Sequence, residues 1–343
     1  MRTLRRVARL VLALVVMMTT SVGCAGQAGT ASDAEFFKGK TVTMVVPHGA
    51  GGGMDTYARM VAPYLGKYLG ATVVIDNASG AGGLVGRNKI YQAKPDGLTI
   101  GFTLLNGAIL AEWAELDGVQ YKTEDFRMIG KIYSEANVMV VSAKSKFKTI
   151  DDVIKAGKIR AGFSGVGSDD YYGMHLAAKA LGFDIDAITG FAGAKEANLA
   201  VVKGEVEAVQ GTYGTMSPLI ESGDVIPVLV YHDARIPELP NVPTALEKVP
   251  AANKKTMEGF VDLMKLERIM FAPPKLPDGK LQVLRDALAK ALKDPEFTAD
   301  SVKNKRPVSY ASGEDVEKMM KTLVEVKSIL KPQVIELTKK SQG

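Results

Sequence analysis

Short β-branched runs alternate along this chain with stretches whose apolar residues recur every three or four positions, and the alternation persists over residues 41–230. Residues 41–46 read as a strand that Pro47 ends, and residues 56–69 place Tyr57, Met60, Val61, Tyr64, Leu65 and Tyr68 on one broad helical face. Pro63 interrupts that pattern, which predicts a kink or a late helix start. A strand over 71–75, a helix over 84–93, a turn at Pro95-Asp96-Gly97 and a strand over 98–104 complete a βαβαβ unit, the beginning of a doubly wound sheet.

Strands over 127–132 and 137–142 lead to Thr149, placed to cap a helix that ends near Gly157. A second unit follows: strand 159–163, the turn Ser164-Gly165-Val166-Gly167-Ser168-Asp169, and a helix over 172–181 closed by Gly182. Strand, helix, strand, helix and strand then succeed one another at 187–189, 194–203, 206–209, 215–221 and 225–230. Three prolines between Arg235 and Thr244 stiffen a connector. A strand over 268–272, a helix over 278–293 and a last helix opened by Ser312 and Asp315 finish the chain. Two α/β lobes with a cleft between them are expected, the Gly51–53 turn of one facing the Gly165–167 turn of the other.

The amino terminus carries Arg2, Arg5, Arg6 and Arg9, nine apolar residues from Leu10 to Met18, and then Cys24, the only cysteine. That run is too short for a hydrocarbon core that takes about 20 residues, so it reads as an export signal. Cys24 follows small residues, as in a lipoprotein site, although Ser21 stands where leucine is usual and ordinary cleavage after Ala28 is the alternative. Residues 1–24 are thus expected to be a signal peptide ending in a lipid-bearing cysteine, and 25–35 a tether. Removing the four arginines from 43 basic residues leaves 39 against 38 acidic ones, so charge gives no reason to expect nucleic-acid binding.

The strand, glycine run and helix start at Val45-Val46-Pro47-His48-Gly49-Ala50-Gly51-Gly52-Gly53-Met54-Asp55 form a ready-made anion cradle, since glycines let N–H groups approach a ligand and a helix start favours negative charge. A plain tight turn is the competing reading. Enzyme motifs fail on spacing. There is no complete dinucleotide fingerprint or P-loop, and Gly162-Phe163-Ser164-Gly165-Val166 lacks the last glycine of a nucleophile elbow. His48, His175 and His232 are dispersed, so no metal, cofactor or catalytic residue is expected.

Gly51-Gly52-Gly53-Met54-Asp55-Thr56-Tyr57-Ala58-Arg59, Asn77-Ala78-Ser79-Gly80-Ala81-Gly82-Gly83, Lys94-Pro95-Asp96-Gly97-Leu98-Thr99, Gly165-Val166-Gly167-Ser168, His175 and Leu239-Pro240-Asn241-Val242-Pro243-Thr244 together resemble the extracytoplasmic solute receptors of tripartite tricarboxylate transporters, the Bug family. The resemblance runs from about residue 40 to the C-terminus. It implies a type II, periplasmic-binding-protein-like fold of the Venus-flytrap kind, with lobe I over 36–138 and 232–343 and lobe II over 139–231. It further implies a monomeric, membrane-anchored receptor that passes a small organic carboxylate, a di- or tricarboxylate or an aromatic one, to membrane permease subunits. Residues 51–53, Asp55, Ser79, Gly82, Gly167, Ser168, Asp169, Tyr172 and Tyr213 are the expected ligand contacts. Asp169 and Asp170 depart from the family pattern, as do His48, Ala50 and the 191–196 stretch. If either aspartate faced the cleft, it would disfavour a second carboxylate and favour a polar or cationic group. A sensor with a signalling partner is the alternative function, and a carboxylate-processing enzyme a more remote one.

Overall fold

The computed structural model describes residues 32–342, so Cys24 and the expected signal and tether up to residue 31 lie outside the described residues. No helix among the described residues is long and apolar enough to cross a membrane.

Among the described residues eleven strands form two sheets. β1 (Thr41–Val46), β2 (Thr72–Asn77), β3 (Thr99–Thr103), β4 (Arg127–Lys131), β10 (Ile269–Ala272) and β11 (Ala311–Ser312) pair in the order β11-β4-β10-β3-β1-β2. β5 (Asn137–Ser142), β6 (Lys158–Gly162), β7 (Asp184–Ile188), β8 (Ala208–Thr212) and β9 (Val225–Tyr231) pair in the order β7-β6-β8-β5-β9. The two follow one plan: three parallel strands, then an antiparallel one that arrives from outside the unit. This is the two-lobed α/β architecture that the alternating pattern predicts.

Each lobe has its own apolar layer. Val42, Met44 and Val46 of β1 turn toward Tyr57, Val61 and Leu65 of the helix Gly53–Leu69 in a single buried cluster. That helix runs through Pro63 without a break, because the ring lies on its exposed face and the hydrogen bond it forfeits frees a carbonyl to water. A second cluster spans both lobes. The helix Leu105–Trp113, whose Leu105 to Leu110 are all buried, packs on the helix Asp169–Leu181, and the helices Lys254–Met264 and Gly313–Gln342 close over the same core. A helix apolar on every side carries no periodic signal, so the sequence pattern does not announce Leu105–Trp113. Thr149 and Ser312 cap their helices as the sequence predicts.

The pairing of the glycine turns differs from expectation. A β-carbon on Gly82 would lie 2.7 Å from the Gly167 carbonyl carbon and from the Ser168 nitrogen, and one on Gly165 would lie 2.9 Å from the Gly82 nitrogen. The 165–168 turn therefore meets the 80–83 loop, not the 51–53 turn. The first turn instead faces the far side of the second lobe. A β-carbon on Gly49 would sit 3.3 Å from the Ala192 carbonyl oxygen, and one on Gly53 2.5 Å from Thr215 Oγ1. Main chain meets main chain closely where Gly82 and Gly165 approach, so glycine is required there by the approach of the lobes, and at the other rim Gly53 leaves room for the Thr215 hydroxyl.

Candidate functional site

Between the rims lies a cavity of about 460 Å³, within the range of small-molecule sites. Besides the helix Leu105–Trp113, whose N-cap Leu104 also lines the cavity but whose Asn106 and Gly107 N–H groups go to the Leu266 carbonyl and Asn106 Oδ1, five helices begin on its wall: Gly53–Leu69, Leu84–Tyr91, Asp169–Leu181, Ala194–Lys203 and Tyr213–Glu221. Their N-cap residues are Gly52, Gly83, Ser168, Gly193 and Thr212, and none of these side chains caps its helix. Ser168 donates its hydroxyl backward to the Gly165 carbonyl at 2.6 Å, and Thr212 shares its hydroxyl with Thr215 at 3.0 Å. Five helix starts thus meet at one volume, with the positive ends of their dipoles behind them, although the Tyr171 N–H is taken by Asp170 Oδ1 at 2.9 Å and the Leu84 N–H by the Ala81 carbonyl.

Of the residues expected to contact ligand, Gly52, Gly53, Ser79, Gly82, Ser168 and Asp169 line this cavity. Gly51 lies beside it, with its N–H donating to Asp55 at 2.8 Å. Asp55 is turned away from the cavity. It accepts from Gly51 and from Arg59 Nε at 2.9 Å, which pins the glycine run to its helix; burial raises its carboxyl, but those bonds outweigh burial and hold it below the ordinary value. Gly167 is behind the wall, its carbonyl accepting from Arg87 Nη1 at 3.0 Å. Tyr172 is fully buried on the core side of its helix, its hydroxyl 3.1 Å from Thr338 Oγ1. Tyr213 packs into the apolar cluster around Val138 and Val230. His175 is also remote, with Nδ1 on the Tyr171 carbonyl and its ring against Tyr171 and Phe163.

The cavity also recruits residues that no sequence motif signals. Arg268 has φ +47, a strained angle for a non-glycine residue, and its guanidinium lies over the Tyr57 ring at 4.6 Å. It pairs with Glu135 and Glu267 and donates to Thr212 Oγ1 at 3.0 Å, which ties the segment before β5 and the segment before β10 to the end of β8. Burial, reinforced by Glu135, pushes Glu267 up to about 8, so it carries its proton at neutral pH. His48 reaches Thr103 Oγ1 at 3.1 Å; burial, then Arg87 and Arg268, pull it down to about 3, leaving the ring neutral. Asp169 and Asp170 both face the cavity. Burial raises both carboxyls, with Arg87 opposing it at Asp169, and proximity to Asp169 helps to lift Asp170 to about 7. Opposite them stand Phe191, from a loop, and Lys195 and Glu196, from the first turn of the helix Ala194–Lys203. The arrangement offers neutral N–H donors, hydroxyls and a few charges around a small polar solute. Among the described residues no group of three or more His, Cys, Asp or Glu is placed to hold a metal.

Comparison with known proteins agrees with this geometry. The profile of the tripartite tricarboxylate transporter family receptor, TctC, matches residues 57–333. An Agrobacterium vitis protein described as a UPF0065 protein in the TAR-I ttuE-ttuC' intergenic region is 32% identical over 262 residues, covering 74% of this chain and 72% of the relative. Among solved structures, the periplasmic binding protein BugD is similar at 26% identity with a TM-score of 0.69, covering 88% of this chain and 98% of BugD. MatC from Rhodopseudomonas palustris, solved with malate bound, shares the fold at 22% identity and a TM-score of 0.67, covering 88% of this chain and 97% of MatC. With the family profile spanning most of its length and the two-lobed fold in place around the cavity, the chain belongs to the tripartite tricarboxylate transporter receptor family, the TctC or Bug type of extracytoplasmic solute-binding protein.

Proposed function

We propose that this chain captures a small organic carboxylate between its lobes and delivers it to the permease of a tripartite transporter, tethered to the membrane through a lipid on Cys24. The observation that carries the reading is the convergence of five helix starts without side-chain caps on one cavity. Buried N–H groups need acceptors, and a carboxylate supplies two oxygens that suit them without a matching cation. Gly52, Gly53, Ser79, Gly82 and Ser168 hold it in this reading, and Lys195 adds a lysine on the wall. That MatC is solved with malate supports a small carboxylate as the ligand class. The lobes, 36–138 with 232–343 and 139–231, close about the crossings that Arg268 ties together. Because the ligand touches both, it favours the closed form. No catalytic step is proposed.

Native mass spectrometry of the purified protein, followed by thermal shift against a carboxylate panel that includes malate, tests this. A released carboxylate, recovered chemically unchanged after incubation, is expected. Saturation at one hundred times the dissociation constant should stabilise the fold by about 2.7 kcal/mol. A ligand without a carboxylate, or one returned altered, overturns the reading. For the anchor, Cys24→Ser should release the protein from membranes, and a serine variant that stays bound removes the lipid from the proposal.

A further inference from the structure

Arg87 is fully buried, yet it reaches out of its own lobe. It stands on the helix Leu84–Tyr91, which follows β2 of the six-stranded sheet. Its Nη1 donates at 3.0 Å to the carbonyl of Gly167, in the turn that follows β6 of the five-stranded sheet. Nε and Nη2 have no hydrogen-bond partner; Tyr121 is close by, but its hydroxyl proton goes to the Ala108 carbonyl at 3.1 Å. A guanidinium keeps its charge at any pH a protein meets, so one shut away from water needs an anion beside it.

Glycines clear the passage to that anion. A β-carbon on Gly83 would lie 3.2 Å from Arg87 Cζ and Nη2, and one on Gly107 would lie 2.9 Å from Nη2. The same point at Gly107 is 3.1 Å from the Asp169 nitrogen and 3.2 Å from Asp169 Cβ. Little more than the space of a methyl group therefore separates the guanidinium of one lobe from the aspartate that opens a helix of the other. His48, Tyr121 and Tyr172 also feel the charge of Arg87, and all three are neutral at pH 7. Asp169 is the group that answers it. Arg268 acts on Asp169 as well, but it is already paired with Glu135 and Glu267. Asp170 is bonded within its own turn, by the Ser168 side chain and the Ser164 and Tyr171 backbone, and has the Asp169 carboxylate against it. With two guanidiniums on its side, Asp169 is the member of the pair on which the negative charge settles.

We propose that Arg87 and Asp169 form an interlobe latch, in which the guanidinium holds the 165–168 turn through the Gly167 carbonyl and is neutralised there by the aspartate. The two charges meet only where the lobes meet, so the latch biases the chain toward the closed form before any solute is bound. It rests on the lobe closure in the reading above and is independent of which solute is captured. Removing one member of a buried ion pair strands the other, whereas replacing both leaves no stranded charge.

That asymmetry gives the test, a double-mutant cycle on the purified protein stripped of bound solute, read by urea unfolding and small-angle scattering. Arg87→Met and Asp169→Asn should each lower stability and enlarge the radius of gyration. The double variant should be more compact than either single one, and its unfolding constant should fall short of the combined single effects by at least about fivefold, ~1 kcal/mol. Arg87→Lys, which keeps the charge, should stay more compact than Arg87→Met. If Arg87→Met does not fold, Arg87→Gln, which keeps a donor for Gly167 without the charge, takes its place in the cycle. A coupling below fivefold, a radius unchanged in both single variants, or an Arg87→Lys protein as open as the uncharged variant overturns the latch and leaves the carboxylate reading standing. A solute without a carboxylate, released from the unsubstituted protein, overturns that reading and leaves the latch in place.

Discussion

Asp152 and Asp170 both sit in the first turn of a helix and live in opposite chemistries. Asp152 faces water, closes a capping box with Thr149, and is held below the ordinary carboxylate value by bonds from the Lys148 and Thr149 backbone and the Thr149 side chain. Asp170 faces the cavity, and burial with Asp169 beside it raises it to about 7. The contrast extends to whole helices. Those starting at Ile150, Ala245 and Pro295 carry side-chain caps from Thr149, Thr244 and Asp294, and Ser312 caps the last one; none of these four starts lies on the cavity. The helices Lys254–Met264 and Asp278–Leu292 lack caps too, but both begin at the exposed surface, where water satisfies them. On the outside, then, helix starts are finished by their own sequence. On the cavity the N-cap side chains do not finish them: Asp170 takes the Tyr171 N–H and the Ala81 carbonyl the Leu84 N–H, and in the proposed reading a ligand completes the rest.

The largest expected effect attacks the rim. Gly82→Val puts a branched side chain into the Gly167–Ser168 backbone at a residue with φ +63, so closure should be blocked. Affinity should fall about a hundredfold, ~2.8 kcal/mol, and scattering should show no compaction with ligand. A Gly82→Val protein that binds normally would mean that the rim contacts do not belong to the bound form. The second test is pH. Glu267 and Asp170 have folded values above their unfolded ones, so the folded state binds more protons between about 4 and 8 and their contribution to stability declines as pH rises through that window. His48, held low, acts in the opposite sense only up to about 6.5, its unfolded value. Chemical denaturation of the unliganded protein should therefore show stability falling from pH 6.5 to 8.5, by up to about 1.4 kcal/mol per unit for each titrating group. Glu267→Gln should flatten the profile, and an unchanged slope removes the buried acid as its source.

Smaller effects separate outside from inside. Thr149→Ala deletes a water-facing cap and should lower stability by about 1 kcal/mol in urea titration, with calorimetric affinity unchanged. Gly193→Ser does the reverse. It supplies a cap to the helix Ala194–Lys203 at a residue with extended backbone, and a β-carbon there would lie 3.5 Å from the Gly49 nitrogen, ordinary contact. It should stabilise the empty protein by a few tenths of a kcal/mol and weaken ligand binding slightly. A variant that gains both stability and affinity would show that the uncapped start is not kept for the ligand.

Strand and helix alternation, the glycine turns and the caps at Thr149 and Ser312 are written in local order, because period, β-branching and capping act over a few residues. From that order the sequence by itself determined the two α/β units, the family resemblance and part of the cavity wall, with Gly52, Gly53, Ser79, Gly82, Ser168 and Asp169 on it. It placed Tyr172 and Tyr213 wrongly with respect to the cavity, since residue type does not reveal which way a helix turns once it packs on its neighbours. Only the tertiary structure decided that the 80–83 loop meets the 165–168 turn, and that Arg87, Gln210, Glu267 and Arg268 lie buried together near the cavity. Those four come from three separate segments, and charged or amide residues carry no apolar period that marks them for burial. What they do depends on distances between segments 57 to 181 residues apart in sequence, and such distances exist only after the lobes have folded against each other.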